Sequence, residues 1–531
     1  MSPRFVSSLR DHAARSWARR AGLAAPAVAL FALLVATDVR GVDFGNHWDE
    51  MQWHIQEVRD MIASGVFLPR WYIYPSLNDW LVLLPALPAG LEALARAGLD
   101  QKAIQAAMKA AAAPPEFLLA ARRVFIVVSG FSVVWTYAAA LALRRRWWEA
   151  SIAAATLGLS WEFAYHARWV ANDCLLTQFA ALTVMMLALF HRTGRPGWVY
   201  GAAVAVGFGT GTKYPGVILL VPVLIAGLAV LPRRAIGSQV SRAVLLCALA
   251  FAAYLVTTPG TLLAPFTFIA DYHRITKAYA QGHYGYTVSG PAQHWKLVLE
   301  YFAFAYFSPW KVPSLILSLA ALWGAVSWVR IDRRFSALLV GFPLAFLIFF
   351  CGRYIVMIVR NYLLIGPFVG LLVARGIADL AERLPRSWLR APFLAAFGAL
   401  ALAQAVFLIG AAESIARPDV NADARAAVDY IASHPKKTFR VSPKVRALAA
   451  AQAKPLPANV RDVGPVDDVV FFPIAEGPNG RRWTTNDPWL TEAVFGPREM
   501  NFNWYSTWEG RDRIVVMTVQ KARAAGVQLA N

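Results

Sequence analysis

Long apolar runs separated by short polar segments dominate the pattern along this chain. About eleven of these runs are near the length that a helix needs to cross the hydrocarbon core of a bilayer. They cover residues 21–37, 118–143, 148–164, 173–190, 198–210, 217–231, 241–257, 312–329, 335–351, 362–378 and 391–411. Most are apolar all round and lack an amphipathic stripe, which is typical of membrane spans. The pattern predicts an all-α polytopic membrane protein.

Basic residues cluster in the short segments that follow alternate spans. If the N-terminus is cytoplasmic, every cluster falls on the cytoplasmic side, which is the positive-inside pattern. The N-terminal segment 1–20 is itself basic and could open a signal peptide. However, the run that follows it is as long as a full span and lacks a convincing Ala-x-Ala cleavage site. We therefore expect an uncleaved first span and a cytoplasmic N-terminus.

Two larger segments are predicted on the extracytoplasmic side. The first, residues 38–117, contains an amphipathic stretch and an apolar stretch near 76–97 that Pro85 and Pro88 interrupt. That apolar stretch either crosses the membrane or lies in its interface, and the prolines favour interfacial helices. The transmembrane domain is predicted to end near residue 411. The second segment, 412–531, is polar and combines a helical pattern with short strand patterns, which predicts a small extracytoplasmic α/β domain.

Composition supports the membrane assignment and limits the choice of partners. The chain is 58% hydrophobic with a mean hydropathy of +0.45, which is too apolar for a soluble domain of 531 residues. Its formal net charge of +20 would suggest nucleic acid in a soluble protein. Here the basic residues lie in loops between spans, so we expect membrane lipid and phosphate as partners and no nucleic acid. The three cysteines lack Cys-x-x-Cys spacing, so neither a zinc site nor a disulfide framework is predicted.

Acidic residues on the predicted outer face are candidate catalytic groups. Asp49 and Glu50 are adjacent and follow the first span, while Asp173 opens a later span. Ionisable groups at a membrane are costly and are therefore functional candidates. All three are candidates for proton transfer. A structural interpretation stays open for each, because acidic residues at a helix start also interact with the helix dipole or cap the helix.

Basic residues on the same face are candidate phosphate ligands. Lys213 lies in a predicted outer turn among glycines, which would let the backbone approach a ligand closely. Arg353 and Arg360 are seven residues apart and would share one face of a helix, where two guanidinium groups suit a phosphate. The alternatives are an ordinary turn lysine and two interface anchors.

Four more outer residues are candidates for substrate binding: His166, Arg168, Tyr214 and His283. The histidine and arginine of the second outer turn could equally be snorkelling interface residues. No His-x-His or His-Glu-x-x-His pattern accompanies either histidine, so the sequence does not support a divalent metal and no metal ligand is assigned.

Four stretches carry a family resemblance when they are taken in order. They are NHWDEMQWHIQEVRDMIASGVFLPRWYIYPSL, HARWVANDCLLTQFAAL, GFGTGTKYPGVILLVP and RYIVMIVRNYLLIGPF. Together they resemble the polytopic GT-C glycosyltransferases of the protein-mannosyltransferase and aminoarabinose-transferase type, the family 39-like enzymes. The resemblance covers most of residues 20–410. Tyr74-Pro75-Ser76-Leu77 departs from the usual double-proline element, and the fourth stretch matches loosely.

The resemblance implies transfer of a sugar, with inversion, from a polyprenyl-phosphate donor to an acceptor hydroxyl on a glycolipid, an envelope glycan or a protein. Asp49 would be the general base, and Glu50 and Asp173 would orient the acceptor or share that role. The lipid phosphate gains charge as it leaves, and three cations would stabilise that charge: Lys213, Arg353 and Arg360. A phosphate leaving group lessens the need for a metal, so no cofactor is assigned. The family and the Ala/Arg-rich composition indicate a bacterial inner membrane.

Two other hypotheses stay open. A secondary transporter could have a similar number of spans, but such proteins usually carry inverted repeats and charges in the middle of the membrane. Here no repeat is evident, and the charges lie near one face. An oligosaccharyltransferase-like enzyme would be expected to carry a WWD-type element in its outer domain. The tail has NDPWL and NFNWYSTW instead.

Overall fold

The computed structural model describes most of the chain, which folds as two compact units. The described residues are 3–44, 50–170, 172–230, 236–282, 286–415, 420–471, 492–495 and 514–524. The first unit comprises residues 1–42 and 48–409, and the second comprises residues 43–47 and 410–531.

The first unit is built from helices. In chain order these are α1 (Pro3–Arg40), α2 (Gln56–Ser64), α3 (Leu77–Leu83), α4 (Leu87–Ala97), α5 (Gln101–Ala112), α6 (Glu116–Arg144), α7 (Trp147–Gly158), α8 (Trp161–Ala167), α9 (Asn172–Thr193), α10 (Gly197–Thr210), α11 (Leu220–Ile225), α12 (Ile236–Thr257), α13 (Gly260–Leu263), α14 (Pro265–Gln281), α15 (Pro291–Phe304), α16 (Lys311–Ile331), α17 (Arg333–Arg353), α18 (Gly366–Arg383) and α19 (Arg390–Ile415). Short 3₁₀ segments cover Leu84–Ala86, Tyr214–Leu219, Val359–Ile365 and Ser387–Leu389, and π-helical turns cover Met51–Ile55 and Ala226–Val230.

Among the described residues, nine helical segments are long and apolar enough to cross a membrane. They are Gly22–Arg40, Leu77–Ala97, Glu116–Arg144, Asn172–Thr193, Ser238–Thr257, Lys311–Ile331, Arg333–Arg353, Val359–Arg383 and Ser387–Glu413. The polytopic helical fold predicted from the sequence is confirmed, but three of its spans form shorter helices. The runs predicted at 148–164, 198–210 and 217–231 fall below the length of a full span, whereas the proline-interrupted stretch reaches it.

The break within the predicted span 148–164 has a clear local cause. The backbone leaves the helix at Leu159, and Ser160 then caps α8 by accepting from the backbone N–H of Phe163 at 3.5 Å. The same hydroxyl donates to the carbonyl oxygen of Tyr306 at 2.6 Å. A serine that caps a new helix and is held by a distant backbone group divides the apolar run into two short helices.

Two glycines allow α16 and α18 to pack at close range. A Cβ at Gly324 would fall on the carbonyl oxygen of Leu372, and one at Gly376 would fall on the carbonyl oxygen of Ala320. Both positions lie far inside van der Waals contact. Small residues at such crossings let the backbones of membrane helices approach closely, so these helices form a tightly packed pair.

The second unit contains a mixed sheet with helices. Its elements are α20 (Val420–Ala432), β1 (Phe439–Val441), α21 (Pro443–Ala451), β2 (Asp468–Phe471), β3 (Ala493–Phe495), β4 (Ile514–Thr518) and α22 (Val519–Ala524). The strand order is β1-β2-β4-β3, with β1 and β2 parallel and the other pairs antiparallel. Alternate residues of β4 enter separate apolar clusters, Ile514 and Val516 in one, Val515 and Met517 in the other. The small α/β fold predicted for the tail is confirmed.

Candidate active site

Four polar side chains meet in the interior of the first unit. Lys213 Nζ lies 2.7 Å from Asp173 Oδ1 and donates to Asn361 Oδ1 at 2.6 Å. Arg360 Nε lies 3.3 Å from the other oxygen, Asp173 Oδ2. Lys213, Asp173, Arg360 and Asn361 are all buried. The structure thus brings together three residues that the sequence singled out and adds an asparagine amide.

Three separate elements position this cluster. Asp173 is in the first turn of α9, Lys213 follows the end of α10, and Arg360 belongs to the 3₁₀ segment that leads into α18. The glycines near Lys213 pack against the protein itself. A Cβ at Gly216 would lie 2.6 Å from the backbone carbon of Gly209, so the chain can fold back on α10 only with glycine there. The sequence suggested that the glycines here let the backbone approach a ligand. Gly216 instead lets the backbone approach α10.

Two of the cluster's side chains are cationic and contact the same carboxylate. Two cationic side chains, Lys213 and Arg360, share the carboxylate of Asp173. Removing charges from water is costly unless they are paired, so the shared carboxylate helps to keep both cations in the interior. Guanidinium and ammonium donors form strong charge-assisted hydrogen bonds with phosphate oxygens.

A cleft with a largely apolar lining opens beside Lys213. It encloses about 700 Å³, counting its open mouth, between the 213–218 segment, α14 and the end of α17. Its lining residues are Ile73, Tyr74, Lys213, Tyr214, Pro215, Val217, Ile218, Tyr272, Ile275, Thr276, Tyr279, Phe349, Phe350 and Tyr354. Tyrosines and aliphatic side chains with one cation at the side suit a ligand that has an apolar body and an anionic group.

Hydrogen bonds fasten the first outer segment to this cleft. The backbone N–H of Tyr72 donates to Asp271 Oδ2 at 2.7 Å, and Tyr214 Oη donates to the carbonyl oxygen of Tyr72 at 2.5 Å. The Asn78 amide donates to the carbonyl oxygen of Thr212, beside Lys213, at 2.8 Å. These bonds hold the Tyr-Pro-Ser-Leu element against the Lys213 turn. The candidate Tyr214 therefore both lines the cleft and anchors the first outer segment through Tyr72.

Glu50 is fully buried in an ion pair with Arg122. Arg122 Nε donates to Glu50 Oε2 at 3.1 Å, and its Nη1 donates to the carbonyl oxygen of Val42 at 2.8 Å. The backbone N–H of Val170 also donates to Glu50 Oε2, at 3.1 Å. Glu50 therefore ties the first outer segment to α6 and to the turn before α9. Its neighbour Asp49 lies outside the described residues.

Arg168 and His166 are buried, contrary to the alternative that they snorkel at the interface. The Arg168 guanidinium lies 3.2 Å from Asp38 Oδ1 and 5.2 Å from the ring centroid of Trp161. Desolvation lowers the pKa of Arg168, and the nearby Asp38 opposes that shift. His166 Nε2 lies 4.0 Å from Glu162 Oε2.

The expectation that Arg353 and Arg360 share a helical face is wrong. α17 ends at Arg353, whose side chain is exposed, and the chain then becomes extended. Val356 forms a bridge with Thr287, and the Met357 N–H donates to the carbonyl oxygen of Tyr286 at 2.9 Å. This pairing with a distant loop replaces the expected helical turns. The candidate His283, just before that loop segment, lies outside the described residues.

A histidine that the sequence did not single out holds the segment around Arg360. His294 Nδ1 donates to the carbonyl oxygen of Tyr354 at 2.7 Å, so its Nε2 accepts from the hydroxyl of Tyr362. Burial lowers the pKa of His294, which favours this neutral form. His294 lies on α15 without a recognisable motif, and no pattern in the sequence marks it.

The sequence analysis also did not select Asp79 and Arg122, although each is an ionisable residue within an apolar stretch. His54 Nδ1 lies 2.9 Å from Asp79 Oδ1, and both side chains are buried. Asp79 interrupts an apolar stretch, and Arg122 falls within a predicted span. Ionisable residues at such positions need partners.

Across the described part of the chain, no group of three or more His, Cys, Asp or Glu residues could hold a metal ion.

Comparison with known proteins gives two kinds of similarity. Residues 104–258 match the family model of dolichyl-phosphate-mannose-protein mannosyltransferase. This match includes Asp173 and Lys213 and agrees, over that part of the chain, with the resemblance seen in the sequence. A comparison with curated proteins gave no match.

Two solved structures of ArnT from Cupriavidus metallidurans are similar along most of the chain. The structure bound to undecaprenyl phosphate is 14% identical with a TM-score of 0.42, and the match covers 92% of this chain and 97% of that one. The apo structure is 16% identical with a TM-score of 0.43, and the match covers 98% of this chain and 100% of that one.

Proposed function

We propose that this protein is an integral-membrane glycosyltransferase that takes its sugar from a polyprenyl-phosphate donor. The observation that carries this proposal is the buried cluster in which Lys213 and Arg360 share the carboxylate of Asp173 beside an aromatic cleft. The matching family model, whose description names a dolichyl-phosphate donor, supports it. The acceptor is a hydroxyl on a glycolipid, an envelope glycan or a protein.

The donor's phosphate lies at Lys213 and Arg360 in this proposal. Transfer breaks the bond between the anomeric carbon and the phosphate oxygen, and the electron pair leaves with polyprenyl phosphate. The departing phosphate gains one negative charge. Cations already held in place stabilise that charge in the transition state without reorganising. Asn361 restricts the position of the Lys213 ammonium through its 2.6 Å hydrogen bond.

The polyprenyl chain follows the cleft lined by Tyr74, Tyr214 and Tyr272. Flat aromatic rings and aliphatic side chains suit an unsaturated hydrocarbon. Because Lys213 lines the same cleft, one ligand can place its phosphate at the cluster and its chain in the cleft.

Asp49 is the general base of the proposed reaction. It accepts the proton of the acceptor hydroxyl while the acceptor oxygen forms a bond to the anomeric carbon from the side opposite the phosphate. The product is therefore inverted at that carbon. The ion pair with Arg122 anchors Glu50, the residue that follows Asp49 in the chain. The site faces the extracytoplasmic side of a bacterial inner membrane, with the N-terminus in the cytoplasm.

Radiolabel transfer in membranes tests the proposed function. Membranes with and without the protein are supplied with polyprenyl-phosphate sugars that carry different labelled sugars, and lipid, glycan and protein fractions are then counted. We expect protein-dependent movement of one label into one fraction. Uptake of free labelled sugar into sealed vesicles, without transfer from any lipid-linked sugar, would contradict the proposal and favour the transporter hypothesis.

A further inference from the structure

A cluster of arginines lies far from Lys213 within the first unit. α18 begins next to the 3₁₀ segment that holds Arg360, and it ends at Arg383. At 1.5 Å per residue, the length of α18 separates its two ends by about 27 Å. The proposed sugar transfer therefore does not use this cluster.

Glu382 is the centre of the cluster. Arg146 forms an ion pair with it, and Arg375 Nη2 lies 3.2 Å from Glu382 Oε2. Arg390, at the start of α19, donates to the backbone carbonyl oxygen of Glu382 at 3.2 Å. These contacts draw the ends of α6 and α18 and the start of α19 to one place.

A tryptophan extends the cluster to α16. The guanidinium carbons of Arg330 and Arg383 both lie 5.4 Å from the ring centroid of Trp323. Trp323 Nε1 donates to Asp379 Oδ2 at 2.8 Å. Cations at this distance from an indole ring are attracted to its face, so these two arginines are held near Asp379.

The cluster has more arginines than carboxylates. The arginines in these contacts are Arg144, Arg146, Arg330, Arg375, Arg383 and Arg390. The carboxylates are Glu149, Asp379 and Glu382, half as many. Arg145 and Arg386 lie in the adjoining links and are exposed. The surplus positive charge favours an anionic ligand.

The adjoining surface has the character of a membrane boundary. Trp147, the first residue of α7, and Trp388, in the 3₁₀ segment before α19, are 55% and 63% exposed, and each lies two residues from Arg145 or Arg386 in the chain. Exposed tryptophans mark the level of lipid headgroups. In α19, every residue from 391 to 403 is exposed or half-buried, and the first buried residue is Gln404. The first half of this helix therefore leaves apolar surface open to acyl chains directly beside the arginines.

We propose that this cluster binds the headgroup of an anionic diacyl phospholipid from the surrounding leaflet, with its acyl chains along the first half of α19. Arg145 and Arg386 bind the phosphate, while the arginines paired with Glu382 and Asp379 supply a positive background field. The lipid is a bound structural partner at a site distinct from that of the sugar donor.

Lipid binding to the purified full-length protein tests the site. Native mass spectrometry counts bound phosphatidylglycerol and bound phosphatidylcholine with the same acyl chains. The variant R145Q/R386Q removes the two exposed arginines to which the phosphate is assigned, and R192Q/R195Q removes two exposed arginines from another basic link. We expect R145Q/R386Q to weaken phosphatidylglycerol binding by about fivefold per arginine, the effect of one basic residue near an anionic membrane surface.

The proposal requires that the protein prefer phosphatidylglycerol to phosphatidylcholine and that this preference depend on Arg145 and Arg386. Phosphatidylcholine binding stays unchanged in each variant, and R192Q/R195Q binds phosphatidylglycerol like the parent protein. Equal binding of the two lipids by the parent protein would overturn the proposal. So would unchanged phosphatidylglycerol binding in R145Q/R386Q, or an equal loss in the control variant, which would indicate a diffuse charge effect.

Discussion

Lys213 Nζ lies 2.7 Å from Asp173 Oδ1 although the two residues are 40 positions apart in the chain. Both are buried, and Arg360 contacts the second oxygen of the same carboxylate. The carboxylate holds the two cations in place. The two cations are therefore positioned before a ligand arrives, which is what stabilisation of a leaving phosphate requires.

Replacing Asp173 with asparagine removes the charge that holds the two cations together. Breaking a buried pair by removal of one partner typically costs about 3–5 kcal/mol. We expect D173N to lower the unfolding temperature in detergent and to reduce sugar transfer. Addition of polyprenyl phosphate should restore part of the lost stability, because its phosphate replaces the carboxylate. If polyprenyl phosphate does not raise the unfolding temperature of D173N, that result would argue against an anion site here.

Arg360 and Arg353 provide a matched pair of variants. Arg360 is buried beside Asp173, whereas Arg353 is exposed at the end of α17. A hydrogen bond to a charged group contributes about 1.5–3 kcal/mol, so R360Q should weaken polyprenyl phosphate binding by roughly 10- to 100-fold. R353Q should bind like the parent protein. Equal losses in the two variants, measured by equilibrium binding of ³²P-labelled polyprenyl phosphate, would contradict the assignment.

The buried Glu50–Arg122 ion pair should contribute to the free energy of unfolding. R122M leaves the Glu50 carboxylate buried without its guanidinium partner, which should cost about 3–5 kcal/mol. The double variant E50Q/R122M should recover part of this loss because no charge is left unpaired. The exposed pair Glu92–Arg96 is the control, and R96M should change the stability by less than about 1 kcal/mol. Reversible unfolding in mixed micelles measures all three, and a double variant no more stable than R122M would contradict the explanation.

The crossing of α16 and α18 should not tolerate a methyl group. G376A places a Cβ on the carbonyl oxygen of Ala320, so the helices must separate, and we expect a clear loss of thermal stability. Gly341 lies inside α17, and a Cβ added there would meet nothing within 4 Å. G341A should therefore be neutral or more stable by about 0.5–1 kcal/mol, because alanine favours the helix. If G376A proved more thermally stable than G341A, the close approach of α16 and α18 at Gly376 would be refuted.

The sequence predicted the membrane architecture because span length and the position of basic residues act locally. It also identified Asp173 and Lys213 separately, as charges beside apolar runs. Their contact was not predictable from spacing, because it depends on how α9 packs against α10 and on the chain reversal at Gly216. The break at Ser160 did leave a signal, since a serine there can cap a following helix.

The error at Arg353 and Arg360 has a different origin. Seven-residue spacing places two side chains on one face only while the helix continues. Here α17 ends at Arg353, and residues 355–357 pair with residues 286–288 instead. Nothing in RYIVMIVR distinguishes this extended pairing from another helical turn. Non-local hydrogen bonding of this kind becomes visible only in the folded chain.

A photoactivatable polyprenyl phosphate tests the central claim most directly. The probe carries a diazirine on its first isoprene units, and labelled peptides of the full-length protein are mapped by mass spectrometry. We expect labels on the cleft residues around Tyr272, Tyr279 and Phe349, with strong reduction in K213M and competition by unlabelled polyprenyl phosphate. Labels that lie elsewhere, or cleft labels that K213M leaves unchanged, would contradict a lipid phosphate held at the Lys213–Arg360 cluster.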